Sequence, residues 1–358
     1  MYFPNLNGLR FIAAFLVILH HSEQFKKIYG FENFFEIPFI YIIGKLGVVL
    51  FFVLSGFLIT YLLLIEERDN GSVSIKNFYV RRMLRIWPLY YLIIFMAYFF
   101  WPFIHIFDIP NISITYSLDD FKNLFMYIIF LPNLVLSNFA VVPYASHTWS
   151  IGAEEQFYLI WPILFVLFRK NKKIMMIGVI VIYIALKFYL QEVPKRFYGI
   201  NILNFISTIP IHCMAIGGLV ATLSFEKNKI ITNINNNLIF YSTTFITIIF
   251  LVLGFDFGNF KYEIYSLLFS IVILNLATNK SLSTLLEYNV LNFLGKISYG
   301  LYMWHSRAIV FTIFVLSYFN ISNKYFLLPI ALVLTIFLSH ISYKYLEKPF
   351  LKLKNKFS

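Results

Sequence analysis

An arginine and a histidine eleven positions apart stand near the start of the chain: Arg10 and His21, in NLNGLRFIAAFLVILHHS from Asn5 to Ser22. Eleven residues make about three turns of α-helix, so the guanidinium and the imidazole share one stripe, roughly 16 Å apart along the axis. Nothing polar lies between them from Phe11 to Leu19. Ionisable groups on an apolar helix are costly in lipid and are kept more often for function than for packing. Arg82 and Arg85 are spaced i, i+3. They can grip a phosphate or carboxylate together, or serve as a stop-transfer cluster facing anionic headgroups. In His147–Tyr158 stand Trp149, Glu154, Gln156 and Tyr158. Ser150 can cap the helix that follows, and Glu154 and Glu155 suit its positive end, which explains one acid better than two acids and a Gln. A carboxylate such as Glu154 beside an imidazole would orient it and raise its basicity, the chemistry of a general base. Ser298, Tyr302 and His305 share a face by i, i+4, i+7 spacing. Interhelical hydrogen bonding accounts for the Ser and Tyr, and less readily for the His. His105 and His340, near span ends, read as structural, whereas His212 beside Cys213 can be read either way.

Membrane helices must position these groups. Of 358 residues, 60% are hydrophobic and 13% charged, with a mean hydropathy of +0.76; soluble proteins carry about 25% charged residues. Apolar runs lie near residues 6–22, 40–65, 85–106, 121–137, 154–169, 174–190, 203–225, 237–254, 261–278, 296–318 and 325–346, each close to the roughly 20 residues a bilayer needs. Charge decides which run to discard. If 121–137 crossed, the basic loop Arg169–Lys173 would lie opposite Arg81, Arg82 and Arg85. If it does not, both loops and the Lys-rich tail from Lys344 to Lys356 are cytoplasmic, and the stretch from Phe103 to Phe121, free of Lys and Arg, lies outside. The expectation is an all-α polytopic bundle of about ten transmembrane helices in the cytoplasmic membrane, with both termini cytoplasmic. Residues 121–137, broken by Pro132 and Asn133, form a re-entrant or interfacial segment. Gly47 and Ser55-Gly56 read as packing positions. One membrane domain is expected over 1–358, without an internal repeat or an appended soluble domain. The N-terminal run ends in His-His-Ser-Glu rather than a small-residue cleavage site, so it reads as a retained span.

The net charge of +12 is explained by short basic loops rather than by nucleic-acid binding. The single cysteine, Cys213, sits in an apolar run and cannot form an intramolecular disulfide. No His-x-x-x-His pair or Cys spacing suggests a metal site. Phosphate-loop, dinucleotide-binding and serine-elbow motifs are absent as well. An imidazole base, a candidate carboxylate partner and an arginine pair remain.

Together these motifs resemble the acyltransferase-3 family of membrane-bound acyltransferases. The resemblance rests on Arg10-x10-His21, the Gly47–Ile59 run GVVLFFVLSGFLI, Arg82-x-x-Arg85, Trp149-Ser-x-x-x-Glu154-x-Gln156-Phe-Tyr158, the run ending at His305, and Glu347-Lys348-Pro349. One departure is Val49, where an acid is frequent in the family. The resemblance implies transfer of an acyl group, often acetyl, from cytoplasmic acyl-coenzyme A as co-substrate to a hydroxyl of an extracytoplasmic or exported carbohydrate or lipid-linked glycan. It makes His21 the catalytic histidine, as general base or acyl relay. Arg10 would help place the donor, Arg82 and Arg85 would grip its phosphates, and Glu154 would pair with a histidine or orient the acceptor. Trp149, Gln156, Tyr158, Ser298, Tyr302 and His305 would support the acceptor side. A polysaccharide exporter without acyl-transfer chemistry is the competing reading. Its mark would be an internal repeat with broken helices, which the sequence lacks.

Overall fold

The computed structural model describes residues 2–110, 117–139, 141–197, 199–321 and 325–357; residues 111–116 of the expected outer stretch lie outside them. Among the described residues the chain is all-α apart from one antiparallel pair of two-residue strands, Arg196–Phe197 and Ile200–Asn201. In chain order the helices are α1 Leu6–Ile28, α2 Pro38–Asn70, α3 Ile75–Phe99, α4 Leu118–Ile128, α5 Pro132–Asn138, α6 Trp149–Leu167, α7 Lys172–Glu192, α8 Ile202–Ser207, α9 Ile211–Phe225, α10 Lys229–Ile234, α11 Asn237–Val252, α12 Lys261–Thr278, α13 Asn289–Lys296, α14 Ser298–Tyr318, α15 Leu327–Ser342 and α16 Lys348–Lys354. The runs expected to span are largely helical; 203–225 is broken between α8 and α9. Among the described residues seven stretches are long and apolar enough to cross a membrane by length and composition. The other three differ for visible reasons. Helix α11 has only 16 residues, while Arg10, His20, His21 and Glu23 dilute α1, and Glu154, Glu155 and Gln156 dilute α6.

Polar contacts gather the loops onto two faces. Glu67 pairs with Arg169 at 2.9 Å and with Lys172, and Arg81 bonds Glu66 at 2.6 Å and the Phe357 carbonyl at 2.8 Å. The N-terminus joins the same face. Tyr2 donates to Glu287 at 2.5 Å, and the Asn5 side-chain amide donates to the Leu276 and Leu282 carbonyls. Helices α4 and α5 form a hairpin that turns back on itself. The Tyr90 and Tyr91 hydroxyls donate to the Tyr127 and Ile128 carbonyls at 2.8 and 3.0 Å, about 13 Å along α3 from its far end. Asn138 then accepts from the Asn201 backbone N–H at 2.7 Å on the opposite face. Pro132 opens α5 at the bend, so the expected re-entrant segment is a helical hairpin.

Small residues set how closely the central helices pack. A Cβ at Gly56 would lie 1.9 Å from the Met214 carbonyl oxygen, and one at Gly217 would lie 2.1 Å from that of Val53. Helices α2 and α9 touch backbone to backbone there, the device that lipid-embedded helices use in place of a hydrophobic drive. Gly217→Leu is expected to destabilise the bundle by about 3 kcal/mol, the upper end of overpacking costs. Gly178→Ala, where a Cβ meets nothing within 4 Å, is expected to be neutral or slightly stabilising. Thermal melts of both variants in detergent, followed by size-exclusion fluorescence, check this.

Candidate active site

A cavity lies between α1, α2, α3, α6 and α14. Arg10 enters it from α1, Ser55 from α2, Arg82 and Arg85 from α3, Ser150, Glu154 and Tyr158 from α6, and Ser298 and Tyr302 from α14. A second cavity shares Arg10, Arg85 and Tyr299 with it and adds Lys296 and Glu347 from the basic face. Arg82 stacks over Phe78 and Tyr158, at 5.7 and 5.9 Å, and its buried Nε has no hydrogen-bond partner among the described residues. Arg10 reaches only Asn7, at 3.4 Å. Neighbouring Arg81 is neutralised by Glu66, whereas Arg10, Arg82 and Arg85 make no ion pair among the described residues. Glu154, the acid in the cavity wall, is held at 2.9 Å by the Ser55 hydroxyl and at 3.1 Å by that of Tyr158. Desolvation costs several kcal/mol per buried ion, against about 1 kcal/mol for a typical hydrogen bond. Three guanidinium groups facing a cavity with one acid in its wall, and no ion pair to it, therefore leave an excess of positive charge that suits a polyanionic ligand, with fork-shaped donors matched to phosphate.

Tyr302 and Ser150 close the inner end of the cavity. The Tyr302 hydroxyl donates to the His147 carbonyl at 2.6 Å and accepts from the Ser150 hydroxyl at 2.7 Å. One turn further along α14, buried His305 places Nε2 3.1 Å from His21 Nδ1, with the rings 4.8 Å apart. The surrounding carbonyls decide the tautomers, since a carbonyl only accepts. His305 Nδ1 lies 2.6 Å from the Tyr302 carbonyl and therefore carries the hydrogen, leaving its Nε2 bare. His21 Nδ1 lies 3.1 Å from the Val17 carbonyl and therefore donates, to that oxygen and to His305 Nε2. The available lone pair of the neutral pair is then His21 Nε2. Such an imidazole can take a proton from a hydroxyl while its neighbour holds the ring in place.

A profile of the acyltransferase domain matches residues 3–344. The chain belongs to the acyltransferase-3 family. It is similar to the peptidoglycan O-acetyltransferase OatA of Listeria monocytogenes, 27% identical over 98% of this chain and 56% of that protein. A Bacillus subtilis protein, YrhL, whose name as a peptidoglycan O-acetyltransferase is provisional, is 28% identical over 97% of this chain and 55% of its own length. The chain thus spans about half the length of the curated relatives it matches. No solved structure matches it.

Against the family motifs, the structure brings Arg10, Arg82, Arg85, Glu154, Tyr158, Ser298 and Tyr302 into one cavity wall, with His21 and His305 paired one turn beyond it. Three expectations are corrected. Glu154 is not the partner of a histidine: its two oxygens are taken by Ser55 and Tyr158, and His21 contacts His305 instead. Gln156 does not face the cavity. Its amide donates to the Phe130 carbonyl at 3.0 Å and to Asn133 at 2.9 Å, closing the tip of the α4–α5 hairpin. Trp149 packs edge-on against Phe52 at 6.2 Å, outside the cavity lining. Ser55, read as a packing position beside Gly56, is a ligand of Glu154. Gln156→Leu leaves the Phe130 carbonyl and Asn133 unpaired and is expected to cost about 1–3 kcal/mol. Limited proteolysis should show faster cleavage between residues 128 and 138, while coenzyme A affinity of the folded fraction stays unchanged.

Proposed function

We propose that this protein transfers an acyl group, acetyl in the first instance, from cytoplasmic acyl-coenzyme A to a hydroxyl of a cell-envelope carbohydrate. The observation that carries this reading is the order along the bundle of an arginine-lined cavity, opening on the face with both termini and the basic loops, and a bare imidazole nitrogen about three turns up α1 from Arg10. By the positive-inside rule that face is cytoplasmic. Arg10, Arg82 and Arg85 grip the donor's phosphates, and the apolar wall of Phe51, Phe52 and Leu58 receives its uncharged arm. The relatives' names, which speak of peptidoglycan, support a glycan acceptor.

His21 Nε2 takes the proton of the acceptor hydroxyl, and the oxygen attacks the thioester carbonyl. The tetrahedral intermediate collapses with cleavage of the carbon–sulfur bond, and His21 returns the proton to the departing thiolate. His305 Nε2, accepting from His21 Nδ1, keeps the ring aligned and stabilises the transient imidazolium, the orienting task often given to a carboxylate. Tyr302 and its bond to the His147 carbonyl separate the cavity from the histidines at rest, so the thioester passes only when that side chain moves.

His21→Ala in purified full-length protein is expected to lower kcat for transfer from radiolabelled acetyl-coenzyme A to peptidoglycan fragments by at least about 10²-fold, the low end of what a general base supplies. The KM for the donor should be little changed. Arg82→Ala with Arg85→Ala should instead raise donor KM by tenfold or more, by loss of charge-assisted hydrogen bonds. Wild-type turnover in His21→Ala, or an unchanged donor KM in the double variant, overturns the assignment.

A further inference from the structure

The basic turn between α6 and α7 takes no part in the proposed reaction, yet it is built around a crevice. Arg169, Lys170, Lys172 and Lys173 line it, with Leu64 from α2 and Glu226 from the end of α9. It shares no residue with the arginine cavity or with the cavity beside it. Bonds already place three of the four cations. Arg169 Nε lies 2.9 Å from Glu67, and its Nη2 donates to the Gly71 carbonyl at 2.7 Å. Lys172 pairs with the other oxygen of Glu67 and lies 4.6 Å from the ring centre of Phe165. Lys173 pairs with Glu226 at 2.8 Å. Lys170 is exposed and makes no ion pair among the described residues.

Four cations against the two carboxylates of Glu67 and Glu226 leave an excess of two positive charges in one crevice. The first turn of α7 brings no acid to offset them. Lysine and arginine asymmetry explains why a loop is basic, but not why four cations converge on one hollow. The rim of the hollow is apolar and open. Leu167 is 72% exposed and Ile174 68%, and Phe168 and Ile177 beside them are exposed as well. A turn that joins two spans lies at the depth of the lipid headgroups, so these side chains meet acyl chains while the cations meet phosphate. Basic pockets between helices at that depth bind acidic headgroups. A free phosphate would use the cations alone, whereas a phospholipid uses the apolar rim too.

We infer that the crevice at the α6–α7 turn binds an anionic phospholipid, its phosphodiester held by Lys170 and Lys173 and its acyl chains lying along Leu167 and Ile174. Arg169 and Lys172 have the separate task of tying the turn to α2 through Glu67. The inference goes beyond the acyl-transfer reading and does not depend on it.

Native mass spectrometry of the full chain in detergent, with phosphatidylglycerol or phosphatidylcholine titrated in, reads the affinity for each lipid. The wild type is expected to bind phosphatidylglycerol about tenfold more tightly than phosphatidylcholine, the worth of one or two headgroup charges. Lys170→Gln with Lys173→Gln should abolish that preference. Lys229→Gln with Lys280→Gln removes as much charge from other loops and should keep it. All four lysines are exposed, so both double variants should melt as the wild type does in lipid-free detergent. No preference in the wild type overturns the inference, whether or not the variants fold. A preference that survives the Lys170 and Lys173 changes, or an equal loss in the Lys229 and Lys280 protein, overturns it as well. Inorganic phosphate added at constant ionic strength should not displace the lipid. Displacement would assign the crevice to a soluble anion and also overturn the inference.

Discussion

Three guanidinium groups from two helices converge on one cavity without an ion pair among the described residues, and the architecture around them follows from that constraint. Inside a membrane bundle such charges persist only where packing fixes them and a ligand or water answers them. Arg10 is fixed because α1 is bound at its start: Asn5 ties the chain to the carbonyls of residues 276 and 282, and a Cβ at Gly295 would meet the Asn7 carbonyl oxygen at 2.1 Å. Arg82 and Arg85 are fixed because α3 is braced by the α4–α5 hairpin through Tyr90 and Tyr91. The same helix that holds Arg10 at one end carries His21 three turns on. A rigid α1 therefore sets the distance between the anion-binding end and the imidazole, and any loosening of its foot changes both at once.

The pairing of two imidazoles alters the chemistry expected of the histidine. A carboxylate partner would add a negative charge next to the base and hold it electrostatically. His305 adds none. It holds His21 through an acceptor nitrogen whose tautomer is itself fixed by a backbone carbonyl, so orientation is preserved without another buried ion. Glu154 is thereby free for a different position, beside the arginine cavity, where Ser55 and Tyr158 hold its two oxygens away from direct pairing with the cations.

The helices could be read from the sequence because twenty-residue apolar runs are a one-dimensional signal. Pro132 and Asn133 located the re-entrant bend by the same local logic. The site was legible only in part. Spacing along one helix placed Arg10 with His21 and Arg82 with Arg85, but nothing in either helix says that the two pairs meet, since that depends on how α1 and α3 pack. The partners of Glu154 were legible only in part for the same reason: its i+4 neighbour Tyr158 was visible, whereas Ser55, ninety-nine residues away, was not. Gln156 carries a motif-like position yet closes a hairpin whose geometry exists only in three dimensions.

Sidedness tests the account most directly, because one site is said to join two compartments. Purified protein is sealed into vesicles in a determined orientation, with radiolabelled acetyl-coenzyme A supplied to one side and peptidoglycan fragments to the other, neither able to cross the bilayer. The account predicts label on the acceptor only when the donor is on the face that carries the termini and the arginine cavity and the acceptor is on the opposite face. Equal labelling from either side, or labelling only when donor and acceptor share a compartment, would contradict it.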